Sequence, residues 1–143
     1  MLIDANLLLC AASTTSPFHA EALHWLDERL NGRARMGIPW ACLLAFLRIA
    51  TAPRAMINPL TPVQAVELIH SWLGAAPVWI PQPTDAHAEI LGSLMERHHV
   101  TADLVSDAHL AALAIEHGLT VYSADTDFAR FGDVRWENPL RQG

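Results

Sequence analysis

The stretch Thr101–Phe128, TADLVSDAHLAALAIEHGLTVYSADTDF, decides the fold. Asp103 and Asp107 stand four residues apart, so a helix beginning near Leu104 carries both carboxylates on one face, in or beside its first turn. The helix continues through AHLAALAIEH, with Leu110, Leu113, Ala114 and His117 on a recurring face, and ends at Gly118. Leu119 to Tyr122 reads as a short buried strand. Ser123-Ala-Asp125-Thr-Asp127 then breaks the strand and offers polar caps to another helical turn. Helix, glycine, strand and acidic strand end form half of an α/β crossover, in which ligands bind at the carboxyl ends of the strands.

Outward from this stretch, the chain repeats the pattern. Met1 to Asp4 is a very short apolar strand ending on a carboxylate, and Ala5 onward turns directly into a helix. Alone, Asp4 would read as that helix's cap. With Asp125 at a second strand end, it becomes a site residue. Ser16-Pro17 opens a helix from Phe18 to Leu30; Met36 to Pro39 is a second strand; Trp40 to Thr51 is a nearly apolar helix with one charge, Arg48. Thr61-Pro62 caps a helix through Trp72, Pro77 to Pro81 is a third strand, Thr84-Asp85 caps a helix over Ala86 to His99, and Val134 to Trp136 is a last edge strand before a polar tail. The alternation predicts an α/β fold: a parallel sheet of about five short strands with helices on both faces.

The 143 residues read as a single domain, 1–143. Hydrophobic residues make up 52% and charged residues only 17%, so an apolar dimer or partner interface is expected. The apolar helices bearing Trp25, Trp40, Phe46 and Trp72 are the candidates for it, with ordinary core as the competing reading of each aromatic. The net charge is −6 and all nine basic residues are Arg, so no basic patch marks a nucleic-acid partner at long range. Arg33 and Arg35, and Arg48 and Arg54, flank loops and are candidate phosphate contacts or simply solvated charges. Cys10 and Cys42 lie in apolar segments, which suits buried thiols in a reducing cytoplasm. No leader-like start or membrane-length apolar run is present. His19 and His24 have no carboxylate or Cys at metal spacing and read as packing or surface residues.

MLIDANLLL at the start, LVSDAHLAALAIEHGLTVYSADTDFARF, and the closing VRWENPL together resemble the PIN-domain family, and within it the VapC toxins of type II toxin–antitoxin pairs. The resemblance implies a three-layer sandwich, a homodimer, endoribonuclease activity dependent on Mg²⁺ or Mn²⁺, and inhibition by a VapB-like antitoxin. It implies Asp4, Asp107 and Asp125 as direct metal ligands, with Asp127 as an outer ligand or water-orienting group. RNA as the substrate comes from this resemblance alone. The chemistry of the residues agrees: hard cations held by several Asp oxygens lower the pKa of bound water and neutralise a phosphodiester. Carboxylates held so close raise one another's pKa until a cation binds. Ser123 positions a phosphate or water, or caps a turn.

The sequence departs from the family at one point. PIN domains carry a further acid on the helix matching Trp40 to Thr51, yet no Asp or Glu lies between Glu28 and Glu67, and Phe46 stands where that acid is expected. Either Asp103 supplies the carboxylate, or the site is reduced and Asp103 is a water-exposed helix cap. A catalytically weak or inactive binding module, and a metal-dependent phosphohydrolase using Asp4 as nucleophile, are the alternatives. The second usually pairs that Asp with another two residues on and uses a Lys; here position 6 is Asn and Lys is absent.

Overall fold

A computed structural model describes residues 1–140. Five two-residue strands form one parallel sheet in the order β3-β2-β1-β4-β5: β1 Leu2–Ile3, β2 Met36–Gly37, β3 Val78–Trp79, β4 Val121–Tyr122 and β5 Trp136–Glu137. Six helices connect them: α1 Ala5–Ala12, α2 His19–Leu30, α3 Trp40–Ala50, α4 Pro62–Leu73, α5 His87–His98 and α6 Leu104–His117. The expected parallel sheet with helices on both faces is observed.

Alternation along β1 shows why. Ile3 joins one core with α1 to α4, through Leu7, Leu26, Leu43, Phe46, Ile69 and others. Leu2, pointing the opposite way, joins a second core with α5 and α6, through Leu94, Ala108, Leu113 and Phe128. Strands apolar on both faces and covered by helices are what a parallel sheet requires. β2 passes so close to its surroundings that a Cβ on Gly37 would stand 2.6 Å from Pro81 Cγ and 3.1 Å from Met1 O.

Most boundaries fall within two residues of the sequence expectation. α6 begins at Leu104 and ends at Gly118, whose φ of +64° closes the helix in the left-handed region. Thr61 and Gln64 form a reciprocal capping box on α4, beyond the cap expected from Thr61-Pro62. Two expected caps are corrected. Ser16 does not cap α2, which starts at His19 after Phe18; its hydroxyl instead accepts from Phe18 N in the preceding turn. Thr84 likewise turns the chain before α5, whose N-cap position is Ala86. β5 begins two residues and ends one residue later than expected and is an edge strand. Part of the polar tail falls on residues 141–143, outside the described residues.

β1 is flanked by β2 on one side and β4 on the other, so the winding of the sheet reverses there. The register Leu2↔Val121 and Ile3↔Tyr122 sets the next residues, Asp4 and Ser123, side by side at the carboxyl ends of the two central strands. This is the switch point where open α/β sheets bind ligands.

Candidate metal centre

At that point the chain leaves β1 and β4 and immediately enters helical turns, so short polar side chains serve as caps and as site residues together. Asp4 occupies the N-cap of α1, and its Oδ1 accepts from Ala5 N at 2.7 Å. Its Oδ2 accepts from Ser123 Oγ at 2.8 Å and from Asn6 Nδ2 at 3.3 Å. The cap and the site readings of Asp4 are therefore both fulfilled. Ser123 is fully buried and also accepts from Asn6 Nδ2 and Asp125 N. It fixes Asp4 and turns the chain, so it does not stand where a phosphate could meet it. Asn6, overlooked in the sequence, ties the two strand ends together by also accepting from Ala124 N at 3.1 Å through Oδ1. That bonding leaves position 6 no part as a second catalytic acid.

Asp125 caps the 3₁₀ turn Thr126–Arg130, its Oδ1 accepting from Asp127 N at 2.8 Å. Asp107, in the first turn of α6, completes the group: Asp107, Asp125 and Asp127 each offer an oxygen, all within 4.8 Å of one another. Burial is the main cause that pushes the Asp107 carboxyl up to about 7, followed by the charges of Asp125, Asp4 and Asp127; Arg130 opposes them. Asp4 is also raised, first by burial, with its Ser123 and Ala5 hydrogen bonds opposing and Asp125 adding repulsion. A set of carboxylates that cannot all ionise comfortably, presenting only hard oxygen donors, fits Mg²⁺ or Mn²⁺ and not a thiophilic metal.

Asp103 is not brought into this group. It is exposed at the N-cap position of α6, and its side chain makes no capping bond. Phe46, expected at the position of the missing acid, faces away from the site: it is fully buried and packs edge-on against Trp72 at 4.8 Å. One residue along a helix rotates a side chain by roughly 100°. The α3 residues that meet the aspartates are instead Cys42, whose Sγ lies 3.9 Å from Asp4 Oδ1, and Ala45. The acid's place is thus held by a thiol and a methyl group. Burial, then the Asp4 charge, raises the Cys42 thiol well above its ordinary value, so it stays protonated. Phe46 and Trp72 belong to the core, whereas Trp40 and Leu44 of α3 are exposed.

Asp4, Asp107, Cys42 and Ala45 line a cleft of about 760 Å³ between α3 and α6. Arg48, Leu44, Val105, Leu91 and His109 line the remainder. Of the arginines singled out in the sequence, Arg48 reaches this cleft, while Arg35 lies over the Trp79 ring at 4.5 Å. His19 bonds the Cys10 carbonyl through Nδ1, and His24 pairs with Glu28 on the surface, as packing or surface residues do.

A PIN domain family model matches residues 1–134. The chain belongs to the PIN domain family. Among its relatives, Ribonuclease VapC37 of Mycobacterium tuberculosis is 44% identical over 138 residues, covering 96% of each chain. Ribonuclease VapC33 of the same species is 37% identical over 139 residues, covering 97% of each. Solved PIN structures share the fold at lower identity. VapBC2 from Rickettsia felis, bound to a promoter DNA fragment, matches with a TM-score of 0.67 at 13% identity over 96% of both chains. Mycobacterium tuberculosis VapC20, a toxin that cleaves the sarcin-ricin loop, matches at 0.65 and 18% identity, covering 94% of this chain and 98% of its own. Among the described residues, no helix is long and apolar enough to cross a membrane.

Proposed function

We propose that this PIN domain is the ribonuclease toxin of a VapBC-type pair, an endoribonuclease that hydrolyses RNA phosphodiester bonds with Mg²⁺ or Mn²⁺. The observation that carries the reading is the Asp107, Asp125 and Asp127 group, its oxygens within 4.8 Å and Asp107 pushed up to about 7 by burial and its acidic neighbours. The relatives named ribonucleases at 37–44% identity supply the substrate class.

Asp107, Asp125 and Asp127 would hold the cation, with Asp4 at the floor contributing the remaining charge and the unused lone pairs of its oxygens. A cation held there would supply a water of lowered pKa and charge to offset that gathering on the phosphate. Ser123 and Asn6 keep Asp4 aimed, Cys42 and Ala45 form an apolar wall of the cleft beside Asp4, and Arg48 and Arg130 offset the acidic field for an incoming polyanion. A VapB-like antitoxin and a second copy of the chain are the proposed partners; exposed Leu44 and Val105 of the cleft wall, and exposed Trp40 at the start of α3, are apolar surface for one of them.

A second reading, a PIN domain with weak or lost catalysis that serves as a binding module, draws on Cys42 and Ala45 at the place of the α3 acid. One experiment separates the two. Purified protein is incubated with total cellular RNA in Mn²⁺, Mg²⁺ or EDTA beside Asp125→Asn. Metal-dependent cleavage lost in the variant supports the nuclease; intact RNA under every metal, from folded protein free of antitoxin, leaves the binding module.

A further inference from the structure

Outside the aspartate group, one polar chain runs between α5 and α6 to the cleft. The Glu116 side chain near the end of α6 is only 1% exposed. Its Oε1 accepts from Thr84 N at 2.8 Å and from Thr84 Oγ1 at 2.7 Å, and its Oε2 faces His87 Nδ1 at 2.5 Å. His87 Nε2 in turn meets His109 Nδ1 at 3.0 Å, with the two rings edge to face. His109 lines the cleft, and its Nε2 has no partner among the described residues. Because 107 and 109 are two apart, they stand roughly 160° apart around the helix. Ser106 and Leu110 cover the arc between them, and Val105 lies just beyond His109; all three line the same cleft. His109 and Asp107 therefore meet the cleft from different sides of α6.

The order of donors follows from the chemistry. The Glu116 carboxylate already accepts twice from Thr84, and against the cost of desolvation its hydrogen bonds to His87 and Thr84 hold it below the ordinary carboxylate value, so it can only accept from His87, which carries a proton on Nδ1. In the neutral imidazole the other nitrogen, Nε2, is bare, and His109 then donates to it from Nδ1. This leaves His109 Nε2 bare toward the cleft. A bare imidazole nitrogen accepts a hydrogen bond and repels a phosphate oxygen, so it suits a donor.

We propose that Glu116, acting through His87, fixes His109 in the tautomer whose bare Nε2 accepts a hydrogen bond from a nucleotide flanking the scissile phosphate, either a ribose 2′-hydroxyl or a base amino group. The inference rests on the ribonuclease reading for its ligand. Glu116 and His87 are positioning residues, and His109 touches the RNA.

Glu116→Gln tests the chain without altering its shape. With Thr84 donating twice to the amide oxygen, the amide NH₂ faces His87, reversing every donor and turning His109 Nε2 into an N–H. Long-range ¹H–¹⁵N spectra of the imidazoles at about pH 8, above the ordinary His range, read this without any substrate. The expected result is a proton on Nδ1 of His109 in wild type and on Nε2 in Glu116→Gln. A proton on Nε2 in wild type, or no change in the variant, overturns the proposal. The second arm measures affinity of the cleavage-dead Asp125→Asn protein for a single-stranded RNA carrying one 2′-deoxy, 2′-O-methyl or amino-lacking base at each position in turn. Losing the bond lowers affinity roughly tenfold at one position. That sensitivity vanishes when His109→Ala or Glu116→Gln is added, and survives His109→Gln, which can present an amide oxygen. Sensitivity to sugar changes identifies the 2′-hydroxyl, and sensitivity to the base identifies the amino group. If no position shows a penalty that His109→Ala removes, the proposal fails. A protein that binds RNA in this way but never cleaves it would overturn the nuclease reading while leaving the relay intact.

Discussion

Asp107→Asn is expected to stabilise the metal-free protein. In the fold the Asp107 carboxyl is pushed up to about 7, chiefly by burial and then by Asp125, Asp4 and Asp127, against an ordinary value of 3.8. The folded state therefore binds this proton more tightly than the unfolded chain, and linkage makes stability fall as pH rises from about 4 to about 7, then level off. A rise of roughly three pKa units corresponds to about 4 kcal/mol. Asp107 is only half-buried, and solvent screening reduces this to about 2 kcal/mol. Removing a charge from the first turn of α6 forfeits about 0.5 kcal/mol of helix-dipole interaction, leaving a net gain of about 1.5 kcal/mol at pH 8. For a chain of 143 residues that is a Tm rise of about 5 °C. Thermal unfolding in metal-free buffer at pH 3.5 and pH 8 checks it. The two proteins should nearly coincide at pH 3.5, below the ordinary value of 3.8, where Asp107 is largely protonated in the folded and the unfolded chain alike, and separate at pH 8 with the variant higher. Mn²⁺ at about a hundred times its Kd should then raise wild type by about 2.7 kcal/mol and the variant hardly at all. An Asp107→Asn protein no more stable than wild type at pH 8 would refute the account of a repulsive, cation-awaiting cluster.

Other outcomes follow from the same geometry. Asp103→Asn should leave metal-dependent RNA cleavage within about twofold of wild type, since the side chain is exposed and bonded to nothing in the site, whereas Asp125→Asn should abolish it. Ser123→Ala removes the buried hydroxyl that donates to Asp4 and accepts from Asn6 and Asp125 N; urea unfolding should register a loss of about 1–3 kcal/mol. Phe46→Ala should cost about 3–5 kcal/mol in the same assay, because it empties a fully buried position against Trp72.

The fold was legible where a local signal and a tertiary requirement coincide. Very short apolar strands alternating with helices admit little besides a parallel sheet, and Gly118 marks a helix end by the left-handed backbone it adopts. Asp4, Asp107, Asp125 and Asp127 were legible because each sits beside the start of a helical turn at a strand end or in the first turn of α6. The caps at Ser16 and Thr84 were misplaced because such hydroxyls cap turns as readily as helices, and the extra turn before α2 and α5 carries no separate pattern. Asn6 was passed over because its partners Ser123 and Ala124 lie 117 and 118 residues away. The Glu116–His87–His109 chain joins two helices with no spacing rule between them.

The misassignment of Phe46 carries a physical consequence for any attempt to restore a fourth carboxylate. A Glu at 46 would bury an unpaired charge among Leu43, Trp72 and Ile69, and the protein would lose stability before gaining a ligand. Ala45 lines the cleft that Asp4 and Asp107 share, and its methyl leaves room for a longer side chain. Ala45→Glu should fold, because the new carboxylate reaches the solvent-filled cleft. In metal-free protein it adds a further like charge beside groups already raised, so Tm in EDTA at pH 8 should fall by a few degrees. With Mn²⁺ the order should reverse, since the added oxygen donor tightens cation binding by more than the repulsion it introduced. Calorimetric titration with Mn²⁺ measures this directly: tighter binding in Ala45→Glu and none gained in Phe46→Glu follow from the orientation of α3. An equal affinity in Ala45→Glu and wild type would mean that position 45 faces the cleft without facing the cation.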